Sequence, residues 1–298
     1  MRVAVHSVDG HGFPNLALMR ISAWHKSQGD SVDWFMPLAR YDRVYASKVF
    51  TFTPDDPYIP ADAIRGGTGY DVASSLPPEI ESTPPDYTIY PQFEEAYGFL
   101  TRGCVNKCPW CVVPRKEGAI RPVADIEQIC NTNTGFRRDV VLMDNNFLAA
   151  PWDFVTAQFA KMKRLNLRID FNQAIDARLI TEDAARLCAS VKWAKWIRIS
   201  CDTDAMLPHC VAAMQRLRNA GFKKDIFVYV LAKNDGIDSA LTRIEGLMAA
   251  DRRAVPFVMP YRSLTDNSIT PSRQLRRLAR WCNRAWIRKT TPFKEYVA

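Results

Sequence analysis

From residue 96 onward the chain alternates short apolar runs with segments of helical period, and this alternation limits the possible folds more than any other feature. The runs are Tyr97–Thr101, Asp139–Met143, Arg168–Phe171, Trp196–Ser200, Ile226–Leu231 and Val255–Met259. They are short, rich in β-branched and aromatic side chains, and mostly apolar throughout. Strands of a parallel sheet covered on both faces read this way. Helical patterns follow near Val123–Asn131, Trp152–Leu165, Glu182–Ser190, Leu207–Ala220, Ile237–Ala250 and Ser272–Trp286. Thr181 before Glu182-Asp183 predicts a helix start, and Gly221 predicts a helix end. Six strand-then-helix units predict an α/β chain, with a (β/α)6 partial TIM-type barrel over residues 91–270.

Residues 1–90 read as a smaller Rossmann-like α/β domain. Arg2–Ser7, Ser31–Phe35 and Arg43–Ala46 have strand character, and Leu16–Ser27 is an amphipathic helix. Pro77, Pro78, Pro84, Pro85 and Pro91 then restrict the backbone, which predicts a linker. Apolar residues make up 47% of the chain, enough to offset the entropy of ordering it, so a disordered protein is excluded. No stretch reaches the roughly 20 apolar residues of a membrane-spanning helix. His6 and Asp9 interrupt the N-terminus too early for a secretory signal, so no membrane association and a cytoplasmic location are expected.

Charge is unevenly distributed. Residues 1–95 carry seven basic and thirteen acidic side chains, whereas residues 270–298 carry eight basic and one acidic. The basic C-terminal helix and tail, 271–298, places Leu275, Leu278, Trp281 and Cys282 on one stripe. Two readings follow. The helix closes the open edge of the barrel with its arginines reaching into water, or arginine and indole bind RNA or another polyanion.

Five of the eight cysteines, Cys130, Cys188, Cys201, Cys210 and Cys282, are dispersed within apolar or helical patterns, as buried thiols are. The other three, Cys104, Cys108 and Cys111, cluster directly after the first barrel strand, on the side where parallel α/β barrels carry their chemistry. Three thiolates with three and two intervening residues can wrap one side of a soft-metal site. A structural zinc site needs four ligands, usually in two pairs, and no second Cys-x-x-Cys or His-x-x-x-His is present. Three clustered cysteines favour a [4Fe–4S] cluster with one open iron. A zinc-containing nucleic-acid-binding module is the alternative of another class.

Cys104-x-x-x-Cys108-x-x-Cys111, with Trp110 before the third cysteine, resembles the radical S-adenosylmethionine superfamily. The resemblance implies three thiolate ligands, S-adenosylmethionine chelated to the fourth iron, and an external electron donor of the flavodoxin or ferredoxin type. Reductive cleavage would then give methionine and a 5′-deoxyadenosyl radical for chemistry on an unidentified substrate. By the same resemblance Trp110 belongs to the cofactor site. The second strand ends in Asp144-Asn145-Asn146, where the family commonly has Gly-Gly-Glu; these side chains would supply acceptors for the methionine ammonium. Asn172 ends the third strand. Arg198, Ser200 and Asp202 end the fourth, Arg198 for the methionine carboxylate and the other two for ribose hydroxyls.

The N-terminal unit resembles a cobalamin-binding domain through Asp9-Gly10-His11, Ser47 and Gly66-Gly67. That implies a cobalamin-dependent radical methyltransferase as an alternative. Pro14 stands where the motif has glycine, and the unit is short, so a vestigial domain capping the active site is favoured over one that binds cobalamin.

Overall fold

The computed structural model describes residues 1–10, 12–263 and 266–297, so His11 lies outside the described residues. In the N-terminal unit β1 (Arg2–Ser7), β2 (Ser31–Trp34), β3 (Arg43–Ser47) and β4 (Ile64–Gly66) pair in parallel in the order β2-β1-β3-β4. Helix α1 (Leu16–Ser27) starts at Asn15, whose side chain accepts from the amides of Ala17 and Leu18. β4 was not anticipated; three residues are too few to show a period.

The second half contains all six expected strands, in parallel and in chain order. They are β5 (Ala96–Gly98), β6 (Asp139–Leu142), β7 (Arg168–Phe171), β8 (Ile197–Ser200), β9 (Ile226–Ala232) and β10 (Ala254–Pro260). The helices that follow them are α2 (Ile126–Cys130), α3 (Trp152–Arg164), α4 (Glu182–Ser190), α5 (Leu207–Asn219), α6 (Ile237–Ala250) and α7 (Arg273–Asn283). The strands do not form one continuous ladder. β5, β6 and β7 make one sheet with a two-residue strand, Lys192–Trp193, on its far edge, and β8, β9 and β10 make another.

The split has a local cause. Lys192 and Trp193 occupy the edge of Arg168 and Ile169, leaving β7 only its C-terminal end to offer β8. There Ala174 takes a positive φ of 85°, and the Ile175 amide donates to the carbonyl of Arg198 at 2.8 Å. A single parallel bridge, Ile175 to Ile199, joins the sheets. One continuous apolar core nevertheless runs from Ala96 to Phe293.

The predicted stripe of the C-terminal helix is buried, and α7 packs on β10. The helix ends earlier than expected, at Asn283, and α8 (Ala285–Thr290) begins a new turn. The break frees the Asn283 side chain to act as a strand. Its Oδ1 accepts from the Val258 amide at 2.7 Å, and its Nδ2 donates to the Val258 carbonyl at 3.0 Å. The Cys282 thiol and the Arg288 guanidinium reach the Pro256 carbonyl. Side chains thus satisfy an edge that would otherwise offer unpaired backbone. Asn283→Ala is expected to lower stability by about 1–3 kcal/mol, the cost of stranding part-buried backbone groups, read as a fall in urea midpoint without a change in slope.

The two halves touch at both ends of the strand series. Near β5, Leu16, Met19, Tyr87 and Tyr90 cluster with Phe93, Tyr97, Phe99 and Met143. Beyond β10, Asn267 exchanges hydrogen bonds with Thr51, and the Arg262 guanidinium sits 4.1 Å from the centre of the Phe52 ring. Among the described residues no helix is long and apolar enough to cross a membrane.

Candidate metal and cofactor site

The cysteines lie on an excursion closed at its base. After β5 the chain passes Thr101–Arg102, which pairs antiparallel with Arg121–Pro122, and residues 103–120 loop out between them. Gly103 makes the exit possible. Its φ is +85°, and a Cβ there would lie 2.2 Å from the Ala119 carbonyl oxygen, so no other residue fits. The Cys104 amide donates to Gly118, and the Cys111 amide donates to Cys108.

All eight cysteines are free. Cys104, Cys108 and Cys111 are half-buried, and the other five are buried. Burial raises the pKa of Cys108 and Cys111, and repulsion from the neighbouring thiols and from Asp202 adds to it. The three thiols and Asp202 therefore share one electrostatic neighbourhood. Among the described residues no three His, Cys, Asp or Glu side chains are gathered as a preformed metal site.

The three residues after β6 do different things. Asp144 is fully buried. Its Oδ1 accepts from the Thr101 amide and hydroxyl, both at 2.6 Å, and its Oδ2 accepts from the Leu100 amide at 3.1 Å. The carboxylate expected to meet an ammonium is instead spent on fastening the base of the cysteine loop, a correction that follows from its burial beneath Thr101. Asn145 is half-buried. Asn146 is buried, and its Nδ2 lies 3.5 Å from the Cys104 sulfur. Its Oδ1 is buried without a hydrogen-bond partner, so one acceptor beside the thiols is left open.

Burial raises the pKa of Asp144 to about 6 against the three hydrogen bonds that favour its charge. The folded state then binds the proton more tightly than the unfolded chain. The stabilisation is complete below about pH 4 and is lost as pH rises through 6. Relative to Asp144→Asn, which cannot titrate, the native protein should lose on the order of 3 kcal/mol across that window. Urea unfolding of both proteins at pH 4, 5, 6 and 7 measures this; a constant difference would refute it.

At the third and fourth strand ends, Asn172 is half-buried, its Oδ1 accepts from Gln173, and its carbonyl accepts from the Tyr229 hydroxyl. Arg198 forms an ion pair with Asp170 across β7 and β8. A methionine carboxylate at Arg198 would therefore meet a cation already paired with Asp170. Burial raises the pKa of Asp202, against the opposing influence of the Ser200 side chain and the Leu231 backbone beside it. Ser200 and Asp202 are thus neighbours, and the Asp202 carboxylate repels charge on Cys108 and Cys111. Trp110 is half-buried on the loop itself.

Sequence reasoning missed Asn106, Asp176 and Arg178. The Asn106 amide lies 3.4 Å from the Cys104 sulfur, and its side chain donates to Asp176 at 2.9 Å. Arg178 grips the same carboxylate with Nε and Nη2. The pattern Asp-x-Arg after a strand was the available signal, but Asp176 also reads as a helix cap, which it is.

In the N-terminal unit Asp9 and Ser47 are engaged by neighbouring residues of the same unit. Asp9 accepts from the amides of Val49 and Phe50 and the hydroxyl of Thr53. Ser47 accepts from Asn15. Gly67, at φ +93°, would bring a Cβ within 2.4 Å of the Lys48 carbonyl oxygen, and Gly69 is closed by Lys48 and Phe50. Gly67 and Gly69 thus lie against the chain's own backbone, while Gly66 has only the Ser74 hydroxyl close by.

Two surface cavities, of about 720 and 610 Å³, are lined by residues around Gly221 and around Tyr41, away from the thiols. Neither bears on the chemistry. The chain matches no known family model and no curated protein.

Proposed function

We propose that the chain is a radical S-adenosylmethionine enzyme whose six parallel strands form a (β/α)6 partial barrel, preceded by a capping α/β domain. The observation that carries this reading is three free, half-buried thiols in Cys-x-x-x-Cys-x-x-Cys spacing just after the first of six parallel strands. Domain limits of 1–90, 91–270 and 271–298 follow the strand series. Soft, unpaired thiols suit the donor set of an iron–sulfur cluster, and the open acceptor of Asn146 beside them suits a bound ammonium.

Cys104, Cys108 and Cys111 would hold a [4Fe–4S] cluster, with Asn145, Asn146, Ser200 and Asp202 around S-adenosylmethionine. The bound cluster would supply the electron that breaks a carbon–sulfur bond of S-adenosylmethionine, drawn from a flavodoxin- or ferredoxin-type donor. This chain's residues supply orientation. Asp144 and Gly103 fix the loop that carries the thiols. Ser200 and Asp202 would present acceptors from the fourth strand's end, and the protein would orient the cofactor that supplies the chemistry.

Anaerobic reconstitution followed by iron, sulfide, zinc and cobalt analysis tests the assignment, with 5′-deoxyadenosine release as its second readout. About four irons per chain is the expected result from the cluster's composition. Zinc alone would overturn it. Arg276, Arg277 and Arg288 of the tail are engaged by backbone carbonyls, whereas Arg273, Arg280, Arg284, Lys289 and Lys294 are exposed, which keeps RNA or another polyanion as the second reading for the tail.

A further inference from the structure

The geometry points to Asn106, Asp176 and Arg178 as a positioning unit that anchors the first half of the cysteine motif to the segment after β7. Its consequence for a bound cluster rests on the function proposed above; the anchoring itself does not.

Asn106 lies between Cys104 and Cys108, in the longer of the motif's two intervals, which must bend to bring both sulfurs to one side. Its amide donates toward the Cys104 sulfur at 3.4 Å. Its side chain crosses to Asp176, seventy positions later in the chain, with Nδ2 2.9 Å from Oδ2. This carboxylate is nearly buried and holds its place by three further bonds from Arg178: the amide at 3.1 Å, Nε at 2.9 Å and Nη2 at 2.7 Å. Burial works against the charge of Asp176, but Arg178 and Asn106 outweigh it and keep its pKa below the ordinary range. The anchor therefore remains an anion at neutral pH, where charge-assisted bonds are strongest.

The unit spans the two halves of the site. The Asp176 carboxylate receives Asn106 from the cysteine loop and Arg178 from its own segment, so the bend between Cys104 and Cys108 is tied to the third strand's end rather than to the loop alone. Outer partners of metal ligands fix the ligands' orientation and thereby the affinity of the site.

Two substitutions test the unit from its two sides. Asn106→Ala breaks the tether without touching the Asp176 cap, and Arg178→Gln loosens the carboxylate that receives it by removing Nε and Nη2. In the full-length protein without metal, hydrogen exchange of amides 104–111 should quicken about tenfold in Asn106→Ala, the loss of one charge-assisted bond of about 1.4 kcal/mol. It should quicken in the same direction in Arg178→Gln. After reconstitution Asn106→Ala should retain less iron than the native protein at equal helical content by circular dichroism. Unchanged exchange in Asn106→Ala would overturn the anchor, and unchanged iron retention would overturn its consequence for the cluster. If the native protein takes up no iron, the proposed function falls, and the exchange arm still decides the anchor.

Discussion

Alanine at Cys104, Cys108 or Cys111, introduced singly, is expected to abolish iron retention and visible absorbance after anaerobic reconstitution. Alanine at Cys130, Cys188 or Cys282 is expected to leave both intact. The difference rests on which sulfurs can become thiolates beside one another. Cys188 is fully buried among apolar side chains, and burial pushes its thiol up to about 12. Cys282 is pushed up to about 11 and donates to the Pro256 carbonyl. Both sit inside the apolar core, closed to an incoming metal. The clustered cysteines share a half-buried loop, where a metal can reach all three. Circular dichroism must accompany the iron assay, because a buried sulfur also fills volume and its loss costs on the order of 1 kcal/mol. Cys130→Ala, losing iron as Cys108→Ala does, would sink the ligand assignment.

The strand series was legible because strands covered on both faces leave apolar runs that need no alternation, and all six such runs became strands. Their helices were legible from the 3.6-residue stripe, which placed Leu275, Leu278, Trp281 and Cys282 correctly in the core. The division into two sheets was not, because it depends on one backbone dihedral at Ala174 and on a two-residue strand. Neither leaves a periodic trace. Within the site, the thiols were visible as a spacing, but the work of their neighbours was not. A sequence shows that Asp144 follows a strand; only the fold shows that both its oxygens turn to Leu100 and Thr101. Arg198 likewise reads as a free cation until β7 places Asp170 opposite it. Pair contacts between distant segments are set by packing, and no local pattern encodes them.

The largest effect on folding should come from Arg243, a residue that the sequence hides inside an apolar stripe. It falls on the same face of α6 as Ile237, Ala240, Ile244 and Leu247 and is only 4% exposed. A guanidinium there survives only if its donors are used. Its Nη1 donates to the Cys201 carbonyl and its Nη2 to the Leu231 carbonyl at 2.9 Å, while Nε lies 3.1 Å from a carboxylate oxygen of Asp204. It thereby ties together the ends of β8 and β9, the two strands that flank Asp202. Arg243→Ala would leave both carbonyls without this donor and empty the space of a long side chain, while Asp204 is exposed and keeps its bond from Ser239. Two carbonyls stripped of a charged donor and the emptied volume together cost about 3–5 kcal/mol, a large part of a typical domain's stability. Arg243→Met keeps much of the volume and loses only the donors, so it should recover part of the loss. The site should respond as well. Arg243 lowers the pKa of Asp202, which burial raises, so either substitution should move Asp202 further toward its neutral form. Thermal and urea unfolding of both variants measure the first effect. Nuclear magnetic resonance titration of the Asp202 carboxyl carbon measures the second, and a pKa unchanged in Arg243→Met would refute the electrostatic link while leaving the packing argument to be judged on stability alone.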